Sequence, residues 1–237
     1  MGYLSGILPK CLFPLHSRPV IHHIVDNMKG AGVEHIYVIV NYQKDKVIDY
    51  FRQAQDDINI AVDFIHQKAL TGIADALLLT RDVIHEPFLT ILGDDCTITE
   101  SLDNLVNIFF QRGATVVEGI VEENNIDILK STCCCKLDGN ERIIEIQEKP
   151  RNPVFNLRGC GVYVFHPDIF EYIEKTPVST IRNEIEITQT IALLAREGRA
   201  YGGFINGENI NINSYDDLLQ AWLSMKKLKE GLLLPAV

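Results

Sequence analysis

From Val20 onward, apolar residues recur by turns at helical and at strand spacing, and this alternation limits the fold more than any other feature of the chain. Helix-then-strand alternation marks a layered α/β domain with a mainly parallel sheet, because each crossover helix covers a sheet face. Ile21, Ile24, Val25 and Met28 repeat at helical spacing, with Gly30 and Gly32 as stop signals. Ile36 to Val40 reads as a buried strand, a second helix runs around Lys44 to Gln55, and Ile58 to Ile65 is the next strand. Gly72 opens a helix that turns Ala74, Leu77 and Leu78 to the core. The run Phe88-Leu89-Thr90-Ile91-Leu92 is another strand; Leu102, Leu105, Val106, Phe109 and Phe110 mark an amphipathic helix, and Thr115 to Ile120 a further strand.

After that the texture changes. Cys133 to Leu137, Ile143 to Ile146 and Val162 to Phe165 are short strands joined by Asp138-Gly139-Asn140 and by Pro- and Asn-rich turns, so a hairpin-containing, mixed portion is expected. Glu184 to Glu197 reads as a helix ended by Gly198; Ala200 to Ile205 and Ile210 to Ile212 are the last strands, before a helix carrying Leu218, Leu219, Trp222, Met225 and Leu228. No internal repeat or linker composition interrupts the chain, so residues 1–237 read as one domain with an appended lobe.

Composition narrows the partners. The formal charge of −10 arises from 32 acidic against 22 basic residues without a basic run, which argues against a nucleic-acid surface. No apolar run is long enough to span a bilayer, and the first eight residues lack the basic start and cleavage site of a signal peptide, so neither membrane nor export is expected. Six cysteines, three of them consecutive at Cys133-Cys134-Cys135, match neither a disulfide framework nor zinc spacing, and point to a reduced, cytoplasmic protein. Strand alternation sets Cys134 on the opposite face from its two neighbours.

Five clusters carry chemistry. Leu92-Gly93-Asp94-Asp95 ends a strand at a glycine and puts two carboxylates at the strand edge where α/β sheets bind ligands; hard oxygen ligands there suit Mg²⁺ and, through it, a phosphate. Gln67 offers donor and acceptor to a base edge, and Gly72 with Ala74 and Ala76 allows close backbone approach at a helix start. Glu148-Lys149-Pro150 presents an acceptor for hydroxyls beside a point positive charge. Gly159-Cys160-Gly161 precedes a strand and admits either a flat ligand or a bulge. Asn183-Glu184-Ile185-Glu186-Ile187-Thr188 is an acidic first helical turn, favourable to the dipole in any case.

In this order the clusters, together with Pro9-Lys10-Cys11-Leu12, Pro14 and Arg18-Pro19-Val20-Ile21, resemble the sugar-phosphate nucleotidyltransferases, most closely the glucose-1-phosphate thymidylyltransferase-like group, from about Pro9 to Leu219. The resemblance implies a Rossmann-like layered α/β/α domain with a mixed, mainly parallel sheet, its nucleotide-binding part at about 1–125 and its hairpin-containing, sugar-binding part at about 126–237. It implies transfer of a nucleotidyl group from dTTP or UTP to a sugar 1-phosphate, with release of pyrophosphate. In that scheme Asp94 holds Mg²⁺ with Asn211 at the second metal position, Lys10 and Lys149 contact phosphates, Gln67 pairs with the base, and Gly72 packs against the nucleoside. Glu148 and Gly161 line the sugar pocket, with Asp95 and Glu184 as further substrate-binding residues. The expected assembly is a homo-oligomer.

The chain departs from the family pattern at three places. The family's glycine-rich, GxGTR-like loop has no counterpart in Met1-Gly2-Tyr3-Leu4-Ser5-Gly6-Ile7-Leu8, Asn211 stands where the late metal site carries an Asp, and Gln189 follows Thr188 where an Asp is typical. An amide oxygen can coordinate a cation but brings no compensating charge. A catalytically silent relative, binding a nucleotide sugar or pairing with an active subunit as a regulatory or structural partner, is therefore the competing expectation. A nicotinamide-dependent oxidoreductase is set aside because no strand leads into GxGxxG.

Overall fold

A computed structural model describes residues 6–179 and 182–230; Met1 to Ser5 of the stretch standing in place of the glycine-rich loop lie outside the described residues. In chain order the elements are a short hairpin of β1 (Pro14–Leu15) and β2 (Arg18–Pro19), α1 (Val20–Gly30), β3 (His35–Val40), α2 (Lys44–Gln53), the one-turn α3 (Gln55–Ile58), β4 (Ala61–His66), α4 (Ile73–Leu78), β5 (Phe88–Ile91) and β6 (Asp95–Thr99). Then follow α5 (Asp103–Arg112), β7 (Val116–Glu122), α6 (Ile126–Ser131), β8 (Cys133–Leu137), β9 (Ile143–Glu148) and β10 (Leu157–Phe165). The series closes with α7 (Ile169–Lys175), α8 (Ile187–Arg196), β11 (Ala200–Phe204), β12 (Gly207–Asn211) and α9 (Tyr215–Lys229). Packing divides the chain into two compact units that interleave along it: residues 1–68, 91–102 and 206–237 form one, and 69–90 with 103–205 the other.

In the first unit β3 and β4 pair in parallel, and β6 pairs antiparallel with β12. Every residue of β6 is buried, since α1 and α9 both pack on it. Helix α1 turns Val20, Ile21, Ile24, Val25 and Met28 inward, as its 3.6-residue period requires. Helix α9 begins at a capping box in which Ser214 and Asp217 satisfy each other's backbone N–H groups, and the buried Ala221 and Met225 recur at i, i+4.

The second unit is built on a six-stranded mixed sheet of order β11-β7-β10-β8-β9, with β5 also pairing β10. Only β11 and β7 run parallel along that path, so the sheet is less parallel than the alternating pattern implies; the Asp138-Gly139-Asn140 turn folds β8 and β9 back as a hairpin instead. One sheet face buries Val116, Ile120, Cys135, Tyr163 and Phe165 beneath α4, α7 and α8. Phe165 is fully buried, with ring centroids 5.3 Å from Tyr163 and 5.5 Å from Phe88. Cys134 turns the other way and donates to Leu129 O, as strand alternation predicts.

Several boundaries move. The strand expected from Ile58 starts at Ala61, because Gln55–Ile58 makes a helical turn that Asn59 ends in the left-handed region, φ 45°. The helix expected from Glu184 starts at Ile187: Asn183 takes φ 55° and Glu186 is extended, so Glu184 lies ahead of the helix and not in an acidic first turn. Phe110 is outward, 67% exposed, because Phe109 beside it already fills the inward position. The strand before Asp94 ends at Ile91, and the turn that follows is closed by Asp95 N donating to Leu92 O at 3.1 Å. Gly93 adopts no left-handed φ there, and Asp95 is the first, buried residue of β6 rather than a free carboxylate of the turn. Glu148 is the last residue of β9, and Gly159-Cys160-Gly161 lies inside β10, where the register against β7 shifts, so the glycines mark a bulge.

Truncating the best-buried aromatic tests this packing. Phe165→Ala should destabilise the protein by about 3–5 kcal/mol, read as a lower urea midpoint, whereas Phe110→Ala should leave that midpoint unchanged.

Candidate functional site

The ten residues singled out from the sequence divide between the units: Lys10, Gln67, Asp94, Asp95 and Asn211 fall in the first, and Gly72, Glu148, Lys149, Gly161 and Glu184 in the second.

In the first unit Pro9 opens a 3₁₀ turn over Lys10–Leu12. The turn aims Lys10 Nζ at Asn213 Oδ1, 2.6 Å away, and 3.4 Å from Asp94 Oδ2. Asp94 is tied to the last strand by Ile212 N, which donates to its carbonyl oxygen at 2.8 Å. The β6–β12 register sets Asn211 directly across from Asp95, and Asn211 Nδ2 donates to Asp95 Oδ1 at 3.3 Å. Asn213 Nδ2 donates in turn to Asn211 Oδ1, so two amides link the lysine to the buried carboxylate. The Lys10–Asp94 pair has about a third of each side chain exposed, so solvent screening holds its contribution to stability at or below about 1 kcal/mol. Its weight lies in placing a cation beside a carboxylate. Burial, with the Asp94 charge adding and a backbone hydrogen bond opposing, pushes the neighbouring Cys11 thiol up to about 11, which leaves it protonated at neutral pH.

Gln67 follows β4 and is buried. Its N–H donates to Val40 O at 3.0 Å and its carbonyl accepts from Asn41 Nδ2 at 2.6 Å, which pins it at the carboxyl ends of the parallel β3–β4 pair. Among the described residues no group of three or more His, Cys, Asp or Glu side chains could hold a metal ion. Asp94 and Asn211 offer one carboxylate and one amide oxygen. That donor set fits a hard cation that completes its shell with water and phosphate oxygens.

In the second unit Gly72 sits at φ +109°, where a Cβ would lie 2.5 Å from the carbonyl oxygen of Ile185 and 3.2 Å from the Cβ of Glu184. Ile185 N donates to Thr71 O at 2.9 Å, so Gly72 and Glu184 are held together by backbone. Both oxygens of Glu148 are engaged: Oε1 accepts from Arg182 Nη1 at 3.1 Å and Oε2 from Thr188 Oγ1 at 2.7 Å. Lys149 adopts φ 44°, donates its N–H to Thr132 O at 3.0 Å, and keeps its Nζ 3.8 Å from Glu148 Oε1. A lysine in the left-handed region is uncommon, and such strain gathers at binding sites. Gly161 lies in the β10 bulge.

Two residues escaped the sequence reading. Arg182 clamps Glu148 and stands 3.6 Å from Glu186 Oε1, but a lone arginine in a loop carries no pattern. Glu118 is fully buried in β7, and Cys133 Sγ donates to its Oε1 at 3.1 Å. Its signal was available, since it is a charge between Val117 and Gly119 inside the otherwise apolar run from Val116 to Val121. Burial raises its carboxyl from 4.5 to about 7; the Cys133 hydrogen bond opposes this and the Glu148 charge adds to it.

A family model described as Nucleotidyl transferase matches residues 4–225. Bifunctional protein GlmU of Methanocaldococcus jannaschii is 34% identical over 213 residues, 90% of this chain and 48% of that protein. The GlmU of Methanococcus aeolicus is 33% identical over 218 residues, 92% of this chain and 49% of that protein, so the chain spans about half the length of these curated relatives. UTP--glucose-1-phosphate uridylyltransferase AglF of Haloferax volcanii is 30% identical over 210 residues, 88% of this chain and 84% of that protein. Among solved structures, UDP-glucose pyrophosphorylase complexed with UDP-glucose superposes with a TM-score of 0.83 at 23% identity, covering 95% of this chain and 93% of that one, and so shares the fold.

Glu118 makes stability depend on pH. A carboxyl bound more tightly to its proton in the folded state stabilises that state fully below pH 4.5, and the contribution is lost as pH rises through about 7. Melting of wild type and Glu118→Gln from pH 4.5 to 8 should shift the difference in the variant's favour by up to about 3 kcal/mol; a constant difference would refute the assignment.

Proposed function

We propose that this chain, which belongs to the nucleotidyl transferase family, transfers a nucleotidyl group from a nucleoside triphosphate, dTTP or UTP, to a sugar 1-phosphate, giving a nucleotide sugar and pyrophosphate. The observation that carries the reading is the grouping of Lys10, Asp94 and Asn211 in the first unit: a cation, a carboxylate and an amide oxygen tied to one turn and one strand end. An oxygen of the sugar phosphate attacks the α-phosphorus, and the bond to the β-phosphate oxygen breaks as pyrophosphate leaves. Such a displacement needs in-line positioning and charge neutralisation rather than a covalent protein intermediate. Lys10 supplies positive charge to the phosphates. Asp94, with the amide oxygen of Asn211, would hold Mg²⁺, whose charge offsets that on the reacting phosphates. Asp95 fixes the Asn211 amide by accepting its N–H.

The other assignments follow the same reading. Gln67 pairs with the base, Gly72 lies against the nucleoside with Glu184 beside it, Lys149 contacts phosphate, and Glu148 and Gly161 line the sugar pocket. Six free thiols fit a cytoplasmic protein, and the exposed Tyr215, Leu219, Trp222 and Leu223 of α9 fit a homo-oligomer.

One observation favours a second reading, that of a silent nucleotide-sugar binder or partner subunit. Asn211 brings no charge to the second metal position, and both ends of its amide are already bonded, to Asp95 and to Asn213. Pyrophosphate release from each common nucleoside triphosphate with glucose 1-phosphate and Mg²⁺ separates the two. Release with UTP or dTTP supports the enzyme; no release with any triphosphate, alongside measurable UDP-glucose binding, selects the silent binder. In the enzyme Asp94→Asn should lower kcat by about 10²–10³-fold, the scale of losing one group that stabilises transition-state charge. Asn211→Asp should lower the Mg²⁺ concentration for half-maximal rate by roughly tenfold, the size of one charge-assisted contact.

A further inference from the structure

Three strands of the second unit lay a polar row across one face of its sheet, passing over a glycine of a fourth. Glu118 on β7 shares the face of Val116 and Ile120, and its Oε1 is bonded to Cys133 Sγ on β8 at 3.1 Å. β10 runs between those strands, and Gly159 lies beneath the bond: a Cβ there would collide with both Glu118 Oε1 and Cys133 Sγ. Cys133 stands directly across from Glu148 in the antiparallel β8–β9 register, so these two side chains share the face as well. Glu118 is fully buried, and its second oxygen, Oε2, has no hydrogen-bond partner. An unpaired buried carboxyl oxygen is costly and calls for a reason.

The groups around this carboxyl come from every packed element. β8 contributes Cys133 and Cys135, β9 contributes Glu148, β10 places Tyr163 opposite it, and β11 offers only the side-chain-free Gly202. From α8 and the segment that leads into it come Thr188, Arg182 and Glu186, which gather at Glu148, where Lys149 also lies. Both cations of this set therefore attend Glu148, whereas among the described residues Glu118 bonds to the Cys133 thiol and feels the charge of Glu148.

Resting on the assignment of Glu148 to the sugar, we propose that Glu118 is a positioning residue that acts through Glu148: as the neutral acid it leaves Glu148 the single anion of the row, and as the carboxylate it weakens binding of the sugar portion. A bound sugar displaces water from Glu148 and lowers the local dielectric, which disfavours a second charge behind it. Binding near neutral pH therefore draws a fraction of a proton, about half at most for a one-unit rise, from the buffer onto Glu118. The elevated pKa of this carboxyl, about 7, puts that uptake within the working range.

The test uses the full chain and UDP-glucose, whose diphosphate does not titrate between pH 6 and 8.5. Affinity and proton uptake are measured calorimetrically in buffers of different ionisation enthalpy, for wild type, Glu118→Gln and Glu148→Gln. Wild type should take up about half a proton between pH 7 and 8 and bind roughly sevenfold more weakly at pH 8.5 than at pH 6, as expected if binding raises the Glu118 pKa by about one unit. Glu118→Gln should show neither effect, and Glu148→Gln should bind weakly at every pH. Parallel profiles for wild type and Glu118→Gln, with Glu148→Gln weak, overturn the role of Glu118 alone. Normal binding by Glu148→Gln, or no binding by wild type, overturns the sugar assignment and this proposal with it. Should Glu118→Gln fail to fold, wild type decides: binding without proton uptake overturns the proposal.

Discussion

The antiparallel register of β6 on β12 is the constraint on which the arrangement of Lys10, Asp94 and Asn211 depends. Because side chains alternate with period two along a strand, pairing Asp95 with Asn211 fixes which faces carry Thr97, Asn209 and Asn211, and a slip of one residue would invert all of them. The burial of all five residues of β6 makes that slip costly, since it would bring different side chains against α1 and α9. Asp94 inherits its position from this pairing: it precedes the first paired residue, and Ile212 just past the last one bonds to its carbonyl. Lys10 needs no strand of its own, because Asn213 and Asp94 give its ammonium two partners on the same scaffold.

The second unit is governed by close backbone approach. Gly72 is compressed against Ile185, and Gly159 lies under a thiol–carboxyl bond that any Cβ would disrupt. At both places a missing side chain lets functional groups from distant parts of the chain share one spot, Glu184 with Gly72 in the first case and Glu118 with Cys133 in the second. The cost appears at Glu118, whose unpaired oxygen is the kind of buried group that packing alone disfavours.

The alternation of 3.6- and 2-residue periods made the α/β class and most elements legible, from the α1 stripe through the Cys133 to Leu137 strand, because burial imposes those periods directly. Ordered motifs brought the family into view where single residues did not, and the match over residues 4–225 agrees with it. Boundaries were less legible where left-handed residues intervene: Asn59 and Asn183 end or delay elements in a way that hydrophobic period does not report. Strand direction was hidden too, since an apolar run reads alike in a parallel and an antiparallel pair. Arg182 and Glu118 depend on long-range neighbours, Glu148 and Cys133 respectively, and a side chain's partner 34 or 15 positions away leaves no local trace.

The φ of 44° at Lys149 restricts this corner in a further way. Val, Ile and Thr carry a branched Cβ that crowds the carbonyl in that conformation, whereas Asn and Gly enter it cheaply. The backbone therefore screens the substitutions open to the position, and the residues it favours most are those without a cation. Lysine at the end of β9 thus sets a charge on a backbone that Asn or Gly would adopt more easily.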